Sequence, residues 1–238
     1  ELLDGIKLVA LAPNKSAYKE LSSLISLART RCSKGKYHVS LKDVMFYLKR
    51  CLIIWSPTQD YNTELLHGYK LKRIFRNRIW LGTTNLLCSN QIELYVVNER
   101  LSHALSIPMV ACGNVQMSNA KKKPLHDIFN ALRNNVSVEE LGTKRFSNAQ
   151  NHLRSIKAIN RLYPAALINE TLHIASLCNF SLDELRYEYP RKAALKNCDA
   201  STYLRKLVCE GAIQRWPSGV PNAVQKQINK ELELVKEL

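Results

Sequence analysis

An α/β arrangement followed by an all-α stretch is the fold class that the sequence predicts, on three observations. Up to Cys112, short apolar runs alternate with amphipathic helical patterns. After Cys112 the strand-like runs stop. From Asn151 onward nearly every segment carries helical spacing.

Residues 6–11 read as a strand. Residues 16–30 read as a helix, with Leu21, Leu24, Ile25 and Leu27 on or near one face. Residues 40–50 form a short helix with Ser40 as its cap. Residues 52–55 are a strand, closed by Ser56 and Pro57. Residues 59–75 are helical and 78–83 a strand. Residues 89–105 are helical and 108–112 a strand. Strands alternating with helices predict parallel pairing, in a sheet or a barrel. The pattern alone does not choose between the two.

Residues 124–134 form a helix opened by proline, a residue suited to the first turn. Residues 137–140 are a short capped turn and 144–150 a polar loop. Helices are predicted at 151–162, 164–178, 201–215 and 221–238. Val224, Ile228, Leu232, Val235 and Leu238 make one apolar stripe on the last of these. Asn179 is placed to close the helix before it in left-handed geometry. Ser181, with Glu184 three positions on, has capping-box spacing. Tyr187 and Tyr189 alternate with charges before Pro190, which predicts an extended arm. The boundary between an α/β part and a helical part is placed near residue 145.

The chain has 238 residues, enough for a full core. No apolar run approaches the roughly 18 residues that span a bilayer, so no membrane association is expected. No signal-peptide pattern opens it. It begins with Glu1 and its last helical pattern is still running at Leu238, so it reads as a piece of a longer protein. The formal net charge of +15 favours polyanionic partners, nucleic acid above all. The seven cysteines are odd in number and lack CxxC spacing, which fits reduced thiols in a cytoplasm rather than a disulfide frame or zinc site.

No GxxxxGK[ST], GxGxxG or GxSxG motif occurs, which leaves P-loop and hydrolase-elbow chemistry without support. The six histidines show neither HxH nor HxxxH spacing. His126 and Asp127, adjacent on a helix, are not expected to face each other as a catalytic dyad. Basic clusters are conspicuous: Lys121, Lys122 and Lys123 in one loop, Lys144 and Arg145 near the boundary, and Lys70, Lys72, Arg73, Arg76 and Arg78 around the end of the third helix. Such residues grip phosphates without reading sequence. Arg186 and Arg191 flank Tyr187 and Tyr189, a pairing able to stack on single-stranded bases or to pack the arm on its own domain.

The run ETLHIASLCNFSLDELRYEYP at 170–190 resembles the segment located after the PHP (polymerase and histidinol phosphatase) domain in the alpha subunit of bacterial DNA polymerase III. The error-prone, damage-tolerant branch of that family is the nearest in character. The runs STYLRKL at 201–207, EGA at 210–212 and RWPSGVP at 215–221 are similar to the family's next helix and turn. The run QKQINKELELV at 225–235 is similar to the helix leading into the palm. KLVALAPNKSAYKEL at 7–21 and IPMVACGNVQM at 107–117 resemble two segments of the PHP domain itself.

That resemblance implies the later units of a distorted PHP-type β/α barrel at 1–145, without its N-terminal units. It implies a helical segment leading into the palm at 146–238. The parent would be a DNA-directed DNA polymerase acting in replication, repair and translesion synthesis. It would use magnesium and deoxynucleoside triphosphates, with DNA and a sliding clamp as partners. The palm, with its Gly-rich loop and paired aspartates, is expected after Leu238, so no catalytic residue is expected here. PHP metal sites need anionic or imidazole ligands. Where the family's last strand commonly ends Asp-x-His, this chain has Asn114 and Gln116. Thr84 stands about where an earlier acid would fall. The metal site is therefore expected to be degenerate and the span to serve as scaffold with possible DNA-backbone contact. The alternatives are a PHP-type metal-dependent phosphoesterase or exonuclease, and a non-catalytic DNA-binding module from a truncated gene.

Overall fold

The amino-terminal residues turn at Gly5 into strand β1 (Lys7–Leu11), and Asn14 then caps helix α1 (Lys15–Thr30) by accepting from the amide of Ala17 at 2.9 Å. The structure is a computed structural model and describes residues 1–58, 60–185 and 199–237. These residues fall in two compact units, Glu1–Leu185 and Arg186–Leu238.

Helix α2 (Leu41–Tyr47) begins as its sequence predicts. Ser40 and Asp43 cap each other reciprocally, and Arg31 adds a two-toothed ion pair to Asp43 at 2.8 and 3.0 Å. The hydrogen bonds from Arg31 and from the Ser40 amide hold the Asp43 carboxyl well below the usual carboxylate range. Strand β2 (Leu52–Ser56) leads to helix α3 (Tyr61–Phe75), where Asp60 accepts from the amides of Asn62 and Thr63. Strand β3 (Ile79–Thr84), helix α4 (Gln91–Leu105) and strand β4 (Met109–Cys112) complete the alternation.

The four strands form an open sheet in the order β1-β2-β3-β4. The pairs β2–β3 and β3–β4 are parallel, as expected. The pair β1–β2 is antiparallel, which corrects the expectation of parallel pairing throughout. Leu11, the end of β1, lies opposite Leu52, the start of β2. The connection holds two helices instead of one, so the chain returns to the end of the sheet it had left. Strand composition does not encode that difference.

Side chains alternate between two faces with the period of a strand. Ile53, Trp55, Ile79 and Leu81 point to a core built with α1 to α4. Leu52, Trp80 and Val110 point to the opposite face, where they meet Ile174. Ile174 belongs to helix α7 (Ala165–Leu177), which comes after helix α5 (Lys123–Asn134) and helix α6 (Ile156–Leu162). Helix α7, although it lies past the compositional change near 145, packs across the second face of the sheet and belongs to the same compact unit as the strands.

Two helical expectations need correction. Helix α6 starts at Ile156, not 151, because residues 151–153 are drawn into a short parallel bridge beside Met117. Helix α7 ends at Leu177 without a left-handed Asn179. The Asn179 amide donates instead to the carbonyl of Pro13, and the ring of Phe180 lies 5.1 Å from that of Tyr18. Tertiary contact with the β1–α1 junction has replaced a local stop signal. Ser181 and Glu184 do form the reciprocal cap. Tyr187, Tyr189 and Pro190 lie outside the described residues.

In the second unit, helices α8 (Ala200–Arg215) and α9 (Asn222–Glu237) pack on each other. Val224, Ile228 and Leu232 are half-buried, whereas Val235 is exposed. Among the described residues no helix is long and apolar enough to cross a membrane.

Candidate functional site

Ligands of open α/β sheets commonly sit outside the carboxyl ends of the parallel strands. Here that edge is set by the pairing of Thr84 with Cys112, which ends β3 and β4 level with each other. The loops beyond them carry Asn85 from one strand, and Asn114 and Gln116 from the other. The sheet therefore brings Thr84, Asn114 and Gln116 to one edge.

Their bonding is internal. Asn114 adopts left-handed geometry, with φ of 42°, which turns the chain out of β4. Its carbonyl accepts from the Asn151 side chain at 3.0 Å, and its side-chain oxygen accepts from Gln116 Nε2 at 3.3 Å. The Gln116 amide donates to the Asn151 carbonyl at 2.8 Å. The Thr84 carbonyl accepts from the Gln91 side chain. Behind it, buried Thr83 Oγ1 accepts from buried Asn98 at 3.3 Å.

Tyr163 and Arg154 close the edge from the far side of the sequence. The Tyr163 hydroxyl donates to the Cys112 carbonyl and accepts from the Asn85 amide, both at 2.7 Å. Arg154 donates to the Asn85 carbonyl at 2.8 Å and to Gln150. Its Nε is buried without a hydrogen-bond partner among the described residues. A cavity of about 170 Å³ lies beside Thr83, Tyr95 and Tyr163. Burial pushes the Cys112 thiol up to about 11 and raises Tyr163 as well.

This chemistry is amide, hydroxyl and guanidinium. It offers no anionic oxygen to offset a divalent cation. Among the described residues no group of three or more His, Cys, Asp or Glu side chains is placed to hold a metal ion. The residues at the edge do not fit a PHP-type metal centre.

The predicted phosphate-gripping residues divide. Lys121 and Lys122 lie exposed on a 3-10 turn, Ala120–Lys122. Lys123 and Arg145 are tied to Asp127, at 2.7 and 2.9 Å. Asp127 is 1% exposed and pins the polar loop at 145 to helix α5. His126 stacks on Phe146 at 4.7 Å and is 3.9 Å from Asp127, too far for a hydrogen bond. Lys144 donates to Asn134 at 2.8 Å. Arg186 and Arg191 lie outside the described residues.

Sequence reasoning missed Asn85, Asn151, Arg154, Tyr163 and Asp127. Only Asp127 carried a readable signal, its four-residue spacing from Lys123 on a helix.

No protein-family model matches the chain. It is similar over all 238 residues to error-prone DNA polymerases: 44% identical to that of Saccharophagus degradans, 41% to that of Teredinibacter turnerae and 38% to that of Pseudomonas aeruginosa. Each match takes the whole chain but 23% of the relative's length.

Proposed function

On the premise that this chain corresponds to a segment of the error-prone DNA polymerases, we propose that it is a supporting, non-catalytic part of such an enzyme. The α/β unit is then a PHP-type remnant that has exchanged metal binding for internal hydrogen bonds. The whole enzyme would carry out DNA-directed nucleotidyl transfer during damage repair, in the cytoplasm, with magnesium, deoxynucleoside triphosphates and a sliding clamp. The residues for those tasks would lie in other parts of it.

The whole-length similarity at 44% identity carries this reading. The amide pair supports the scaffold role. Gln116 donates to the Asn114 side chain, the Asn151 side chain to the Asn114 carbonyl and the Gln116 amide to the Asn151 carbonyl, so the edge is tied by neutral hydrogen bonds where a metal centre would need charge. The signature run supports it too, since its described part packs across the sheet as a brace: Glu170 accepts from Trp80 Nε1 at 2.9 Å, and Ile174 fills the second core.

Two measurements test it. Primer extension with this chain alone is expected to be blank, and template-directed incorporation would overturn the division of roles. Metal analysis of the purified chain is expected to find no stoichiometric ion. Two or three bound metals per chain would sink the remnant assignment.

A further inference from the structure

The amino ends of β2 and β3 lie at the opposite end of the sheet from Asn114 and Gln116, and a groove of about 830 Å³ opens there. Apolar side chains of α2 and α3 form its floor. Lys49, Lys70, Arg73, Arg76 and Arg78 line it, and no carboxylate does.

The local sequence explains how the cations gather. Arg73 stands in the last turn of α3, where the helix dipole favours positive charge. Arg76 ends that helix in left-handed geometry, with φ of 53°. Arg78 is anchored: its guanidinium donates to the Cys51 carbonyl at 2.5 Å and lies 5.7 Å from the Phe75 ring centroid. Lys72 turns away to the Ser106 carbonyl at 2.7 Å. Some cations elsewhere are matched, as Arg31 is with Asp43 and Arg50 with Glu20. Among the described residues no ion pair reaches Lys49, Lys70, Arg73, Arg76 or Arg78. Like charges three apart on a helix, as Lys70 and Arg73 are, repel each other unless an anion lies between them.

Two exposed rings are chain neighbours of residues that line the groove, Phe46 beside Met45 and Tyr69 beside Lys70. Phe46 is 66% exposed, with Lys49 Nζ at 5.3 Å from its centroid. Tyr69 is 57% exposed, one turn before Arg73. Cations that track a backbone beside exposed rings are the makings of a single-strand site. An acidic peptide would use the charges but not the rings.

We propose that this groove binds the phosphate backbone of single-stranded DNA without reading its sequence. Lys49, Lys70, Arg73 and Arg76 contact phosphates, Arg78 fixes the floor, and Phe46 and Tyr69 stack on bases. The inference stands on the charge and shape of the groove and does not rest on the polymerase assignment.

The test is a fluorescence-anisotropy titration of the chain with a labelled oligo-dT over a salt series. The variant K70E/R73E is compared with K121E/K122E, which changes net charge equally. The groove variant is expected to bind about tenfold more weakly and to flatten the salt dependence by about 1.4 log units per decade, about 0.7 for each lost phosphate contact. K121E/K122E is expected to lose less than about threefold. Phe46→Ala is expected to weaken binding while leaving the salt slope unchanged. If K70E/R73E fails to fold by circular dichroism, K70Q/R73Q is read in its place. Equal losses in the two paired variants overturn the proposal, as does absence of binding at low salt. Poly-glutamate binding that oligo-dT cannot displace would also overturn it.

Discussion

The hydroxyl of Tyr163 donates to the carbonyl of Cys112 at 2.7 Å while accepting from the amide of Asn85 at the same distance. One oxygen thus joins the ends of β3 and β4 to the junction of α6 and α7. An adjacent bond from Asn85 Nδ2 to the Leu162 carbonyl, at 3.1 Å, reinforces the joint.

Tyr163→Phe should therefore cost about 1–3 kcal/mol, because a carbonyl and an amide lose their partner together. The urea midpoint of the first unit reports it. An unchanged midpoint would mean that water replaces the hydroxyl without loss.

The brace on the opposite face is set by Trp80 and Glu170. Glu170→Ala should destabilise by about 1.5–3 kcal/mol, the range for a hydrogen bond to a charged group. Glu170→Gln, which keeps an acceptor oxygen, should lose less. Equal losses in the two variants would place the effect in the removal of bulk.

Asp127 makes a pH prediction. Burial pushes its carboxyl up, but the hydrogen bonds and charges of Lys123 and Arg145 outweigh that and leave it below the usual carboxylate range. A depressed carboxyl contributes stability that is fully present above its unfolded value of about 3.9. That stability is lost as pH falls through the lower folded value. Asp127→Asn should be less stable than the unaltered chain at neutral pH, and the gap should close as pH drops below about 4. A gap independent of pH would show that the charge plays no part.

Gly68, in α3, leaves no room for a side chain. An added Cβ would overlap Leu105 and stand 3.0 Å from Trp55. Gly68→Ala should cost about 1–3 kcal/mol through overpacking, despite alanine's better helix propensity. A thermal melt decides it, and a rise in midpoint would contradict the tight contact.

Much of the fold was legible because its signals are local. Ser40 announces a helix start, and Ser181 with Glu184 announces a capped turn by spacing alone. The apolar runs at 52–55 and 108–112 announce strands. The candidate edge was half legible. Asn114 and Gln116 could be named from the chain, but their shared partner Asn151, through its side chain and its carbonyl, lies thirty-odd residues away and inside what reads as a helix. The pull of Met117 on residues 151–153 outweighed their helical propensity.

By itself the sequence determined the alternation of strands and helices, the excess of positive charge, the identity of the amides at the end of the fourth strand, and the kinship of the chain. All of these reside in residue identity and short-range spacing. Tertiary structure alone decided that β1 runs against β2, that α7 closes the second face of the sheet, and that Arg145 is tied to Asp127 while Lys70 and Arg73 face an open groove. Those outcomes turn on which distant groups meet. A cation's role depends on whether a buried carboxylate reaches it first.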